Sequence, residues 1–451
     1  MPPLRVLVVG AGIAGPVSLP IVLVFVPLPY SSPLTPTPQF LSHLLRGALP
    51  TSTIRILERS SSLRATGHQI DLKATSIPLL KKCGLLDTIK TLCVPETGLE
   101  MVDGNGKIVV RFGVNGFDER KKRLALTSEY EVMRGDLVRC FEERSLELES
   151  GGEGSASGEG GLEYVYGKSV EGIKDLGEEV EVRFSDGEIG RYDLVVGADG
   201  QGSRVRRLAW GDSESEKAWK STGVQAAYYS IPKREGDDGM STGYLANRRR
   251  MVITRTGYKH HTQVLLFTMA EHEKIDQASK EGVQKQKEVW AELFQDAGWE
   301  CEKLMEGMQT AEDFYVHEIV QIRMDKLYQG RVVLLGDAGY CPSPFTGMGT
   351  TLALVGSYVL AGELVRNGND IRAALNAYDE KMKEPIKEYQ EMPTGGMKVL
   401  FPSSQLGVWL LRTAGWAIST FRIDQLASWV GSGDGKGEWK LPEYPELKLK
   451  G

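Results

Sequence analysis

The run Val6-Leu7-Val8-Val9-Gly10-Ala11-Gly12-Ile13-Ala14-Gly15 constrains this chain more than any other stretch. Consecutive aliphatic residues read as a strand buried on both faces, and the glycines behind them turn the chain into a helix. Gly10 permits the tight turn, Gly12 lets backbone approach a pyrophosphate, and Gly15 allows helix to pack closely on strand, with the phosphate at the helix amino terminus. Alone the pattern is moderately specific, because the same glycine spacing arises by chance in α/β proteins. A second strand, Thr53 to Leu57, ends at Glu58. An acid at that tip can accept both hydroxyls of an adenosine ribose, which sharpens the reading.

Two further constellations lie downstream. Val332-Val333-Leu334-Leu335-Gly336-Asp337-Ala338-Gly339 is a strand whose terminal acid can bond a polyol. Behind it, Pro342, Pro344, Gly347-Met348-Gly349 and Thr350 lead into a long helix predicted over Gly349 to Arg366, where glycines bring backbone amides against a flat ligand. Asp193-Leu194-Val195-Val196-Gly197-Ala198-Asp199-Gly200 is a strand closing on an Asp-Gly turn. Taken singly, that last run is equally a structural turn.

The three runs in this order resemble the flavin monooxygenase family of para-hydroxybenzoate hydroxylase and the tetracycline-inactivating monooxygenases. The likeness covers roughly residues 4 to 395 and rests on the glycine fingerprint at Gly10, the DG motif at Asp199-Gly200 and the GD motif at Gly336-Asp337. It implies FAD as cofactor, with Glu58 on the adenosine ribose and Asp337 on the ribityl chain. Gly347, Gly349 and Thr350 would lie against the flavin and the adjoining phosphates. Arg134, in Val132-Met133-Arg134-Gly135-Asp136-Leu137, matches the family arginine that opens a helix and contacts FAD. Gln69 and Asp71, in Gly67-His68-Gln69-Ile70-Asp71-Leu72, match the stretch passing the flavin edge. Asp199 takes the family's DG role toward FAD and NAD(P)H. Tyr340 stands where many relatives carry histidine.

The fold expected is α/β: a Rossmann-like FAD-binding domain with a parallel sheet, interrupted by a β-rich substrate domain and followed by C-terminal helices. The FAD-binding domain is assigned residues 1–72, 131–205 and 325–395, and the substrate domain 73–130 and 206–324. Residues 396–451 form a C-terminal helical segment and tail. Within these bounds Glu131 to Leu148 reads as helix, and Tyr192 to Gly197 as one strand. Short β-runs over Gly223 to Met269 read as an antiparallel sheet near the substrate, with Tyr228 and Tyr229 as core packing or substrate contacts.

By the same resemblance the activity is hydroxylation of a small aromatic or polyketide-like molecule in secondary metabolism. NAD(P)H visits as a transient co-substrate, O2 is the oxidant, and a flavin C4a-hydroperoxide delivers the oxygen. Epoxidation or Baeyer-Villiger insertion on a non-aromatic metabolite is the alternative within that chemistry. No catalytic side chain and no metal site is assigned.

One stretch opposes this reading. Val17 to Gln39 should continue the first helix, yet Pro20, Pro27, Pro29, Pro33, Pro36 and Pro38 fall within it. Each interior proline costs a helix about 3 kcal/mol. Deleting Val17 to Gln39 joins Gly-Ile-Ala-Gly-Pro to Phe40-Leu41-Ser42-His43-Leu44-Leu45 and restores an apolar-periodic helix. Val17-Ser18 can be encoded by a splice donor, and Gln39 by the CAG of an acceptor. The segment is therefore read as translated intron, the alternative being a genuine insertion that would leave an inactive FAD-binding protein.

Composition narrows the partners. A net charge of −6 argues against nucleic acid, which demands a basic surface. Five dispersed cysteines with no CxxC pair support neither a disulfide framework nor zinc, and fit a reducing, cytoplasmic setting. No secretory signal is read before the first strand. Ile21 to Val26 is too short to span a bilayer. Leu406 to Phe421, carrying Trp409, Trp416 and Arg412, reads as an amphipathic helix packed on the body, with membrane-surface contact as the other reading.

Overall fold

The structure, a computed structural model, describes residues 3–10, 36–62, 68–113, 130–151, 160–233, 237–257, 260–368, 370–392, 397–421 and 439–449. Gly12 and Gly15 lie outside the described residues, as does most of the proline-rich stretch.

Six strands form the first sheet, in the order Tyr328–Gln329, Val332–Leu334, Leu194–Gly197, Arg5–Val9, Thr53–Glu58 and Gly161–Tyr166. All neighbours are parallel except the Tyr328–Gln329 edge. Parallel strands are covered on both faces, which is why these segments are aliphatic at successive positions instead of alternating. One face packs on helices Thr37–Ala48, Arg134–Gly151, Gly349–Asn367 and Ile371–Tyr389, burying Phe40, Leu44, Phe141, Leu352 and Tyr378. The other face meets Val170, Val182 and Phe184 of a small three-stranded antiparallel sheet. Complete burial of each such aliphatic or aromatic side chain contributes about 1.5–3 kcal/mol, and that is what ties this layered arrangement together.

A second sheet of seven strands runs in the order Tyr315–Ile322, Trp219–Pro232, His261–Thr268, Arg250–Arg255, Met240–Ala246, Gly98–Val102 and Ile108–Gly113. Its strands are antiparallel apart from the Met240–Ala246 and Gly98–Val102 pair. Strand alternation sorts its two faces. Ala227, Tyr229, Ile231, Val252 and Leu266 meet helices His272–Glu281, Val283–Phe294 and Cys301–Thr310, with Trp290 and Phe294 at the centre. Ala226, Tyr228, Phe267 and Ile319 face the other way, toward Phe345 and Phe401.

Three local expectations change. The first helix starts at Thr37, not Phe40, with Pro38 in its first turn. Proline is tolerated there because the first amides of a helix have no intrahelical acceptor to lose. Glu131 to Met133 is a strand paired with Gln69–Asp71, and the helix begins only at Arg134. Tyr192 and Leu194 belong to different sheets, divided at Asp193, whose carboxylate accepts from the Arg5 amide at 2.7 Å and the Arg5 guanidinium at 2.8 Å. Near the C-terminus, helix Gln405–Phe421 buries Val408 and lays Arg412 over the Tyr244 ring, while Leu406, Trp409, Leu410 and Trp416 stay exposed. Among the described residues no helix is long and apolar enough to cross a membrane.

Candidate active site

The carboxyl ends of the parallel strands converge, the place where open α/β sheets bind their ligands. Gly10 leaves its strand with its amide on the Leu57 carbonyl at 2.8 Å. A β-carbon there would stand 3.2 Å from that carbonyl oxygen and 3.4 Å from Pro38, so the close approach calls for glycine. Glu58 ends the neighbouring strand, buried, and accepts from the Ser60 amide at 2.8 Å. Gly336 leaves a third strand at a φ of 62°, with a would-be β-carbon 3.3 Å from Thr37 Oγ1. Thr37 Oγ1 and Gln39 Oε1 are buried and have no hydrogen-bond partner among the described residues. Buried polar atoms of this kind suit a polar ligand.

Asp337 follows Gly336. Burial pushes its carboxyl upward, against the opposing pull of Cys341 and of the Arg134 guanidinium. Arg134 opens its helix behind the strand Glu131–Met133, and its amide reaches the His68 carbonyl at 3.3 Å. Burial lowers its own pKa, while Tyr315, Asp337 and Tyr228 favour its charged form. Arg134 and Asp337, about two hundred residues apart, are therefore electrostatic neighbours.

The long helix Gly349–Asn367 begins here with Met348 as its cap, no side-chain capping bond and no acid in its first turn. Its first amides and positive dipole end favour an anion. Gly349 and Thr350 occupy that turn. Just before it, Gly347 takes a φ of 65°, and a β-carbon there would stand 3.2 Å from Lys73 Nζ and 3.9 Å from Asp71 Oδ2. Lys73 and Asp71 are ion-paired at 2.9 Å, and the Lys73 carbonyl accepts from Thr351 Oγ1 at 3.0 Å. The segment containing Gln69 and Asp71 is thereby held against the helix entrance.

Gln69 itself is buried. Its side-chain amide donates to Glu96 and Glu131, and its main-chain amide donates to Gln263 Oε1 at 3.2 Å. Arg255 bonds both acids, with Glu96 at 3.0 Å. Neither Lys73, Glu96, Glu131 nor Arg255 was expected from sequence. Glu131 immediately precedes the matched motif, but only strand pairing brings it to Asp71.

Asp199 is placed differently from the rest. Its carboxylate is fully engaged with the Ser203 hydroxyl, the Arg204 amide at 2.6 Å and the Val205 amide at 3.0 Å, so it caps the helix Arg204–Trp210. That helix carries Arg206, whose guanidinium donates to Ala338 O at 2.6 Å, Gln201 O at 2.6 Å and Ser215 Oγ at 3.0 Å. The DG turn thus braces the GD turn. Tyr340 points into the core, with its hydroxyl 3.0 Å from that of Tyr378.

Over these elements lies the inner face of the seven-stranded sheet. Tyr228 stacks on His317 with centroids 5.1 Å apart and planes 2° apart, and on Tyr315 at 5.1 Å. His68 packs against Tyr228 at 4.8 Å. Phe267 and Phe401 flank Phe345 of the loop before Gly347. Tyr229 faces away, its hydroxyl on the Leu304 carbonyl at 2.9 Å. A cleft of about 940 Å³ lined by Trp210, Lys326, Arg331 and Arg372 opens at the opposite end of the sheet, before Val332, away from this chemistry. Among the described residues no cluster of His, Cys, Asp or Glu is arranged for a metal ion.

The set suits FAD: an acid at the tip of the second strand, a second acid after Gly336, glycine close approaches and an uncapped helix start. Comparison with known proteins agrees. A family model described as an FAD binding domain matches residues 52–390, beginning after the glycine fingerprint. A FAD-dependent monooxygenase, asL6, of Sarocladium schorii is 38% identical over 403 residues, covering 88% of this chain and 93% of the relative. Monooxygenase CTB7 of Cercospora beticola is 33% identical over 401 residues, covering 86% and 91%. Among solved structures, tetracycline destructase Tet(51) aligns with a TM-score of 0.67 and 25% identity, covering 98% of this chain and 100% of the other.

Proposed function

The chain belongs to the FAD binding domain family of these FAD-dependent monooxygenases, and from that premise we propose that it uses NAD(P)H and O2 to hydroxylate a small aromatic or polyketide-like molecule. The observation that carries this reading is the packing of Phe345, two residues before Gly347, on Phe267 of the sheet face that carries Tyr228, Tyr315 and His317, with His68 against Tyr228. Planar apolar substrates suit such a face, since aromatic pairs add about 0.5–1.5 kcal/mol beyond the area they bury. A relative of known structure is named a tetracycline destructase, which fits a ring-shaped substrate.

In this reading Glu58 holds the adenosine ribose, and the first amides of the helix at Gly349 and Thr350 hold the pyrophosphate. Asp337 bonds the ribityl chain, and Arg134 braces Asp337. Gln69, Asp71 and Gly347 line the flavin edge. Bound flavin supplies hydride acceptance from the nicotinamide and activation of O2. The protein orients the substrate ring, and its sheet face excludes water. Residues 1–72, 131–205 and 325–395 serve the cofactor, while 73–130 and 206–324 serve the substrate.

Purified protein should carry flavin absorbance and oxidise NAD(P)H faster when the right phenolic or polyketide-like compound is added. Flavin-loaded protein whose oxidation rate no member of a broad panel raises would overturn the substrate class.

A further inference from the structure

In the two-stranded ladder beside the flavin edge, Asp71 and Glu131 sit directly opposite each other. Like charges in that register repel, and here they do so under burial, with the Glu131 side chain 1% exposed. The groups facing Glu131 are Gln69 and Asp71 on the partner strand, Glu96 on the turn after Cys93 and Arg255 on the large sheet, with Lys73, just past the end of the partner strand, paired to Asp71. Three acids thus meet two bases. One retained proton makes the cluster neutral, and buried charge is costly unless paired. Glu131 Oε1 is also buried without a donor, as is Glu96 Oε1. A carboxylate only accepts, but a carboxylic acid also donates, and a proton on Glu131 creates a bond to Asp71 where two acceptors would otherwise clash.

We propose that Glu131 is a positioning residue that stays a neutral carboxylic acid, donates to Asp71, and so holds the Asp71–Lys73 ion pair against the Gly347 loop that takes the flavin. The flavin part of this statement rests on the function proposed above; the shared proton does not. Burial and the surrounding acids push the Glu131 carboxyl up to about 10, while Asp71 is lowered, the division expected of a pair sharing one proton. Ionisation of Glu131 would leave the buried cluster, Arg255 and Lys73 included, with one negative charge in excess beside a site for an anionic cofactor.

The test is infrared spectroscopy of the whole protein at neutral pH, reading the carbonyl stretch of un-ionised carboxylic acid. Wild type should show the band, and Glu131→Gln should lose the Glu131 component of it, the buried Asp337 being common to both proteins. Asp71→Asn should lose that component as well, because Glu131 then has no anionic neighbour across the ladder and ionises against Arg255. A wild type without the band, a band undiminished in Glu131→Gln, or one undiminished in Asp71→Asn overturns the proposal. FAD titration supplies the second arm: above the Glu131 titration, wild-type affinity should fall about tenfold per pH unit beyond that of Glu131→Gln. Flavin's own ionisation is common to both proteins and cancels. Identical alkaline profiles would contradict the positioning role. A protein that binds no FAD but shows the Glu131 component would sink the cofactor reading and leave the proton pair standing.

Discussion

The guanidinium of Arg206 reaches across 132 residues of sequence to donate to the Ala338 carbonyl at 2.6 Å, locking the turn after one parallel strand to the turn after the next. Burial lowers this arginine to about 10, so it remains a cation at neutral pH and all three of its bonds are charge-assisted. Arg206→Met should destabilise the fold by about 3 kcal/mol or more, because it strips the donors from the buried carbonyls of Ala338 and Gln201. Urea unfolding measures that loss, and the flavin content of the purified variant should fall with it.

Gly347 should not tolerate a side chain. Its φ of 65° costs an L-residue roughly 1–2 kcal/mol, and an alanine methyl would meet Lys73 Nζ at 3.2 Å. Gly347→Ala should therefore lower thermal stability modestly and weaken FAD binding by about tenfold, a loss of some 1.4 kcal/mol of binding. Fluorescence titration of apoprotein with FAD reads the second effect.

The two buried histidines packed on Tyr228 give the fold an acid weakness. Burial and the Arg134 charge lower His68 to about 3 and His317 to about 4, so both are neutral when folded, whereas an unfolded histidine takes a proton near 6.5. Below that value the unfolded chain binds more protons. Stability present above it is lost as the pH falls, by about 1.4 kcal/mol per pH unit for each histidine. His317→Phe should keep the stack on Tyr228 and reduce that slope by about 1.4 kcal/mol per pH unit in urea unfolding followed from neutral to mildly acid pH.

Adjacent tyrosines should separate packing from substrate recognition. Tyr229→Phe removes the bond to Leu304 O on the far side of the sheet and should cost about 1 kcal/mol of stability without changing KM. Tyr228→Ala opens the face toward Phe345 and should raise KM for an aromatic substrate by about tenfold, a single lost aromatic contact. Steady-state kinetics on both variants decides between these outcomes.

What could be read from the chain was what short-range pattern encodes. The strands at Val6 and Val332, their terminal glycines, and the acids Glu58 and Asp337 each carry their meaning within ten residues of sequence. Two features were misread although local rules cover them: Pro38, counted as a helix breaker, is a first-turn proline, and Asp199, read toward the cofactor, caps a helix with Ser203. The Asp71–Glu131 pair was not legible, because its register depends on a ladder closed between segments sixty residues apart. Nor could alternation say which of Tyr228 and Tyr229 faces the site, since helices cover one side of that strand and the nucleotide-binding elements the other.

Reaction of the FAD-loaded protein with NAD(P)H, a matching aromatic substrate and isotopically labelled O2, followed by mass spectrometry of the product, tests the central claim most directly. One labelled oxygen atom should appear in the product, with NAD(P)H consumed in proportion. Product oxygen drawn from water, or NAD(P)H oxidation that yields only hydrogen peroxide with every substrate, would contradict the assignment of this site to monooxygenation.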